Sequence, residues 1–312
     1  MNSLHQPVFI CGALRSGSTL LHLMLDHHPN IKNPGEFDFM FDLIKDDGSF
    51  PNLDDYHEFL GNNRIFKAKN LVIDASLTFP ELLKSFISQL QQKSKILALN
   101  VHRNFHRIPY VFSDAKYIHL LRDPRDVARS SIEMGWCGNV YFGVDHWIKT
   151  EHSWEKLEQQ LKPGQYSTLY YEKLIEEPET VLTAICTFLN LPFSHQMLEY
   201  PQHSTYGRPD KSLIQQWKRK LSNRDIQHVE TKAGELMEQK GFQLSGLPKT
   251  QIGLLEKIKL ALQNKQFRVI FGIRRYGISL YASERLTKIF GLEKLHKEFV
   301  LARQEIDKTH LK

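Results

Sequence analysis

A chain of 312 residues, 41% apolar and 24% charged, can bury a substantial core and fits one large domain or two. No run approaches the roughly 18 to 20 apolar residues of a membrane span, and Cys11, Cys137 and Cys186 are too few and scattered for a disulfide framework or a metal knuckle. The net charge of +6 does not point to nucleic acid, because residues 251–312 hold 13 Lys+Arg against 6 Asp+Glu while the remainder, at 28 against 29, is near neutral.

The amino terminus, M-N-S-L-H-Q-P, has no basic start and runs directly into an apolar segment, so no signal peptide is expected. With the cysteines read as reduced, mostly buried thiols, the expected location is cytoplasmic. The first element is a strand over 8–11 (V-F-I-C), and T-L-L-H-L-M-L-D (19–26) has helical spacing. Between them G-A-L-R-S-G-S-T (12–19) keeps the glycine frame of a phosphate-gripping P-loop but puts Ser18 where the nucleotide-hydrolysing form has lysine. The anion grip survives, and Arg15 places a bidentate guanidinium inside the loop.

Further short apolar runs at 71–75, 95–100, 116–122 and 166–171 read as strands, and helical spacing fills 80–92, 124–134, 143–161, 178–189 and 223–239. That alternation predicts an α/β, P-loop NTPase-like three-layer fold with a central, mainly parallel sheet whose ligands sit at the carboxyl ends of the strands. A second anion grip is expected in L-L-R-D-P-R-D-V-A-R-S (120–130), where Arg122 closes a strand, Asp123 and Pro124 cap a helix, and Ser130 lies on that helix. The segment S-G-L-P-K (245–249) marks the boundary between an α/β domain (1–245) and a basic helical extension (246–312). The extension alternates apolar and cationic residues. It reads either as an accessory helical layer or as a surface for peripheral contact with a membrane or an acidic partner.

The chain resembles the sulfotransferases that use 3′-phosphoadenosine-5′-phosphosulfate (PAPS) and release adenosine 3′,5′-bisphosphate (PAP). The resemblance rests on A-L-R-S-G-S-T-L-L, on R-D-P-R-D-V-A-R-S and on Y-E-K-L-I-E-E-P (171–178), in the family's order, and spans about residues 7 to 240. It implies that Arg15, Ser16, Gly17, Ser18 and Thr19 hold the 5′-phosphate and sulfuryl group, that Arg122 and Ser130 hold the 3′-phosphate, and that Tyr171 lies near the adenine. No metal is expected, since a phosphosulfate lacks the phosphate chain that calls for lysine and magnesium.

Two residues compete for the role of base. Glu36, in N-P-G-E-F, resembles the catalytic glutamate of protein-tyrosine sulfotransferases and is preferred. His102, in A-L-N-V-H-R-N, resembles the catalytic histidine of the cytosolic small-molecule branch. The family's lysine is missing: Asn100 stands in its place, with His102 or Arg103 as replacement cations. The loop H-S-T-Y-G-R-P-D-K-S-L-I-Q-Q-W-K (203–218) resembles the family's late loop, which implies roles for Ser204 at the transition state and for Arg208 or Lys218 at the 3′-phosphate.

Stretches 37–70 and 134–147, rich in aromatic and acidic residues, are expected to line the cleft for a hydroxyl acceptor: a phenol or tyrosyl group, an alcohol or a sugar. The competing classes are a P-loop kinase-like enzyme, against which Ser18 argues, and an inactive module binding PAP or other anions. The oligomeric state is not legible.

Overall fold

The computed structural model describes residues 6–91 and 95–310, the side chains of 308–310 excepted. The start of the amino-terminal stretch read for a leader, the end of the expected 80–92 helix and the last residues of the basic tail lie outside the described residues. The first half of the chain contributes β1 (Val8–Cys11), α1 (Ser18–Asp26), β2 (Ile31–Lys32), α2 (Leu53–Asn62), α3 (Arg64–Lys67), α4 (Phe79–Leu90), β3 (Ile96–Val101), β4 (Lys116–Leu121), α5 (Pro124–Glu133), α6 (Val140–Gly143) and α7 (Asp145–Glu158). The second half adds β5 (Tyr166–Tyr170), α8 (Tyr171–Glu176), α9 (Pro178–Phe188), α10 (Trp217–Lys220), α11 (Asn223–Gln239), α12 (Leu254–Tyr276), α13 (Ile278–Ile289) and α14 (Glu293–His310).

The five strands form one sheet in the order β2-β3-β1-β4-β5, with every pairing parallel. A parallel sheet must be covered on both faces, and β1 shows how the sequence meets that demand. All four of its residues are buried; Val8 and Ile10 face a cluster with Leu21, Met24, Leu174 and Leu182, whereas Phe9 and Cys11 face Phe37, Phe41, Phe86 and Tyr117. The rings of Phe41 and Phe112 each lie 5.5 Å from that of Phe9. The chain runs from β1 outward to β2, returns to β3 beside β1, and then crosses to β4 on the other side of β1, so the direction of winding reverses at this strand. The crevice at its carboxyl end is where such sheets hold ligands.

Two departures from the expected elements have physical causes. The run 71–75 is not a strand: Val72 is 69% exposed, and its N–H and carbonyl are both bonded by the side chain of Gln89 on α4 rather than by a ladder. The fifth strand is instead the two-residue β2, too short for a periodic signal. At the other end, residues 242–253 carry no helix or strand, and three helices follow. Helix α12 is fastened to the loop after α5, where Asn264 accepts from the Gly138 N–H (2.7 Å) and the Asn139 amide donates to the Leu260 carbonyl (2.8 Å). Helix α14 reaches α2 through Lys297 and Glu58, 2.6 Å apart. Among the described residues, no helix is long and apolar enough to cross a membrane. Cys11, Cys137 and Cys186 are all free and buried.

Candidate active site

The turn after β1 is curled by two left-handed residues, Arg15 (φ 72°) and Gly17 (φ 93°). Glycine meets a second demand at 17, because a Cβ there would lie 2.1 Å from the ring of Tyr171. Gly17 caps α1, and the Leu21 N–H returns to its carbonyl, so the N–H groups of Ser18, Thr19 and Leu20 have no intrahelical partner and carry the positive end of the helix dipole. Ser16 is fully buried, and its hydroxyl has no hydrogen-bond partner among the described residues.

The second predicted grip folds onto the first. The Arg15 Nε donates to the Ser130 Oγ (2.9 Å), while the Arg122 Nη1 donates to the Arg15 carbonyl (2.9 Å) and Nη2 to the Leu213 carbonyl (3.1 Å). The Arg122 guanidinium lies 4.3 Å from the centre of the Tyr171 ring, and its Nε is buried without a partner. Asp123 caps α5 by accepting from the Arg125 N–H and also holds the Arg125 side chain at Nε and Nη2 (2.9 and 2.7 Å). Arg125 is thereby spent on structure, and its guanidinium stacks 3.6 Å from the Trp217 ring.

The two candidate bases are neighbours. Glu36 forms an isolated parallel bridge with Asn100, in which the Phe37 N–H donates to the Asn100 carbonyl (2.8 Å) and the Asn100 N–H to the Gly35 carbonyl (2.9 Å). This places the Glu36 Oε1 3.8 Å from the His102 Nε2. The glutamate side chain is 44% exposed and the histidine 2%. His102 Nδ1 is 2.9 Å from the Gly12 carbonyl, which can only accept, so Nδ1 carries a proton. Nε2 therefore faces the carboxylate either as a lone pair or, in the imidazolium, as a donor. The His102 N–H donates to Asp38 Oδ1 (2.7 Å), and burial pushes the Asp38 carboxyl up against the opposing pull of His102 and Arg103.

The model of the sulfotransferase family matches residues 7–195, well over half of the chain. The chain belongs to the sulfotransferase family. Among its relatives, an uncharacterized protein of Aquifex aeolicus (strain VF5) is 29% identical over 226 residues, 62% of this chain. That stretch is 27% of the Aquifex protein, so the chain spans about a quarter of its length. A Caenorhabditis briggsae protein named "Putative protein-tyrosine sulfotransferase" is 26% identical over 215 residues, 64% of this chain and 71% of the relative. Among solved structures, the sulfotransferase domain from the curacin biosynthetic pathway superposes with a TM-score of 0.58 at 21% identity, over 77% of this chain and 98% of that domain. The corresponding domain of the Synechococcus PCC 7002 olefin synthase gives 0.55 at 23%, over 73% and 94%. These likenesses show the shared fold.

The other anticipated residues are less engaged. Ser204 bonds within its own turn, through Tyr206, while Arg208 is exposed and Lys218, also exposed, lies 5.4 Å from the Trp217 ring. The loop itself is tied down by Tyr200, whose hydroxyl donates to the Gly207 carbonyl, and by Asp126, which accepts from the Gln216 and Trp217 N–H groups. Arg103 is paired bidentately with Asp42 at 2.6 Å, so His102 is the freer of the two proposed replacement cations. Asn100, in the lysine's place, accepts from the buried Asn33 amide (3.2 Å).

Three further residues at the site lie inside stretches named from the sequence, yet nothing in the sequence singles them out. The Lys69 Nζ donates to the Pro34 carbonyl and lies 5.1 Å from the Phe37 ring, clamping both sides of Glu36; burial lowers its ammonium from the usual range while Glu36 pulls it upward. His146 Nε2 bonds the Leu14 carbonyl of the P-loop (3.1 Å).

Glu172, the third, accepts from the Asp123 N–H (2.9 Å), and burial pushes its carboxyl up to about 7 from 4.5. A folded value above the unfolded one means the native state holds the proton more tightly, so this stabilisation is present below about 4.5 and is lost as pH rises through about 7. Glu172→Gln keeps the acceptor and removes the charge. Its unfolding free energy is expected to gain on the parent's by on the order of 2 kcal/mol between about pH 5 and about pH 8, so its melting-temperature margin widens over that range. Parallel melts showing a constant margin would refute the assignment.

Proposed function

We propose that the chain transfers a sulfuryl group from PAPS to a hydroxyl acceptor by in-line displacement. The observation that carries this reading is the convergence of a lysine-free P-loop with orphaned buried donors, Ser16 Oγ and Arg122 Nε, beside the Arg15–Ser130 pair. Buried polar atoms are rarely left unpaired, and donors gathered at a helix amino terminus suit a ligand with separated anionic groups. In this reading Arg15, Ser16, Gly17, Ser18, Thr19 and the α1 terminus take the 5′ end, Arg122 and Ser130 take the 3′-phosphate with the Arg15 guanidinium bridging towards them through Ser130, and Tyr171, between Gly17 and Arg122, takes the adenine side.

PAPS supplies an activated sulfuryl group whose departing oxygen gains charge. Backbone N–H groups and guanidiniums are positioned to compensate that charge without reorganising. The exposed Glu36 carboxylate accepts the acceptor's proton, and the Gly12 carbonyl holds the His102 ring so that Nε2 faces Glu36 and shares the charge there. The kinship with the Caenorhabditis protein favours a tyrosyl or other hydroxyl on a larger molecule.

Calorimetry in the presence of a chelator tests the donor site. PAP is expected to bind at least about tenfold more tightly than adenosine 5′-monophosphate, because charge-assisted bonds to the 3′-phosphate are worth about 1.5–3 kcal/mol each. Transfer of label from sulfur-35 PAPS to phenolic, alcoholic and peptide acceptors tests the reaction. Equal affinity for the two nucleotides, or magnesium-dependent ATP turnover in place of label transfer, would overturn the reading.

A further inference from the structure

The carboxy-terminal helices expose more apolar surface than a covered accessory layer would. Among the described residues, twelve of the eighteen exposed large apolar side chains lie between Leu254 and Leu301. The densest group is the corner where α13 turns into α14. Ile289 (76% exposed) and Phe290 (70%) project there, followed across Gly291 by Leu292 and Leu295. Lys288 and Lys294 flank them, both exposed. A contiguous apolar projection of this kind marks an interaction surface.

The corner cannot relieve its exposure by folding back, because the hairpin behind it is fixed. Arg303 pairs with Glu284 at 2.5 Å, His296 bonds the Glu284 carbonyl at 3.0 Å, and Asp307 holds Tyr276 (2.9 Å) and Arg275 (3.2 Å). The apolar residues are therefore presented outward on a rigid support. The charge around them selects the occupant: residues 251–312 carry +7, so a second copy of the chain would bring like charge against like, whereas an acidic surface is complementary. A protruding apolar turn flanked by Lys288 and Lys294, with Glu293 the one acidic side chain among them, matches the physics of shallow insertion into the boundary between headgroups and acyl chains.

We propose that the α13–α14 corner docks this protein peripherally on membranes containing acidic phospholipid, with Ile289 and Phe290 inserting and Lys288 and Lys294 meeting the headgroups. This rests on the surface alone and not on the chemistry proposed for the P-loop. The full chain is tested by flotation with phosphatidylcholine vesicles and with vesicles containing about 30% phosphatidylserine. Binding is expected only to the acidic vesicles and should weaken with salt. Ile289→Asp combined with Phe290→Asp, and separately Lys288→Glu combined with Lys294→Glu, should each weaken it by roughly tenfold or more. Both variants should keep the parental melting temperature and PAP affinity, since the altered side chains are exposed. Absence of flotation, equal flotation with neutral vesicles, or flotation unaffected by either pair of substitutions would overturn the proposal. So would a concentration-dependent dimer in light scattering that the aspartate pair dissolves, which would make the corner a self-association surface.

Discussion

Replacing Arg122 with alanine is expected to weaken PAP binding by roughly 10²- to 10⁴-fold, the loss of two charge-assisted hydrogen bonds at about 1.5–3 kcal/mol each. Arg122 follows directly on β4 and supports the site twice over. It donates to the carbonyls of Arg15 and Leu213, holding the P-loop to the late loop, and it offers a buried, unpaired Nε beside the Tyr171 ring. Truncation would remove a donor and also leave two carbonyls short of a partner. Arg122→Lys should recover only a small part of the affinity, because a point charge cannot span two carbonyls and present a third N–H while stacking on a ring. Titration calorimetry with PAP measures both variants. Affinity unchanged in Arg122→Ala would mean that the two grips do not share one ligand.

The second large effect is expected at Glu36. In Glu36→Gln, kcat should fall by roughly 10²- to 10⁴-fold, the usual contribution of a positioned base, with PAP affinity unaltered. The geometry favours the glutamate over the histidine. Only the Glu36 carboxylate is open to an incoming hydroxyl, whereas the His102 ring is buried and held at Nδ1 by the Gly12 carbonyl. His102→Gln is therefore expected to lower kcat less than Glu36→Gln does, through loss of the group facing the carboxylate. Single-turnover measurements with a responsive acceptor separate the two. If Glu36→Gln turned over normally while His102→Gln were dead, the base would be the histidine.

The parts of the candidate site written in contiguous residues could be singled out from the chain alone. Gly12 to Thr19 and Arg122 to Ser130 each combine strand, turn and helix with their own donors, so local spacing identifies them. The element pattern likewise gave β1, β3, β4 and β5 to within a residue or two. Features that depend on distant partners were hidden. The approach of Glu36 to His102 exists because the Gly35–Phe37 backbone bonds alongside Asn100, a pairing of segments more than sixty residues apart. Lys69, in K-A-K-N, differs in no way from a surface lysine until the fold sets it beneath Pro34 and Phe37. The misread strand at 71–75 shows the converse: a short apolar run carries no information about whether an edge is available to it, and the amide of Gln89 took the place of a ladder.

The attachments of the carboxy-terminal helices have a mechanical consequence. The two stretches proposed to flank the acceptor are each gripped by a different one of these helices, the 37–70 stretch at Glu58 by Lys297 of α14 and the 134–147 stretch at Gly138 by Asn264 of α12. Because α13 joins those two helices, the two stretches are linked to one another through the carboxy-terminal hairpin. A displacement of that hairpin would thus be felt at both stretches, although neither belongs to the parallel sheet.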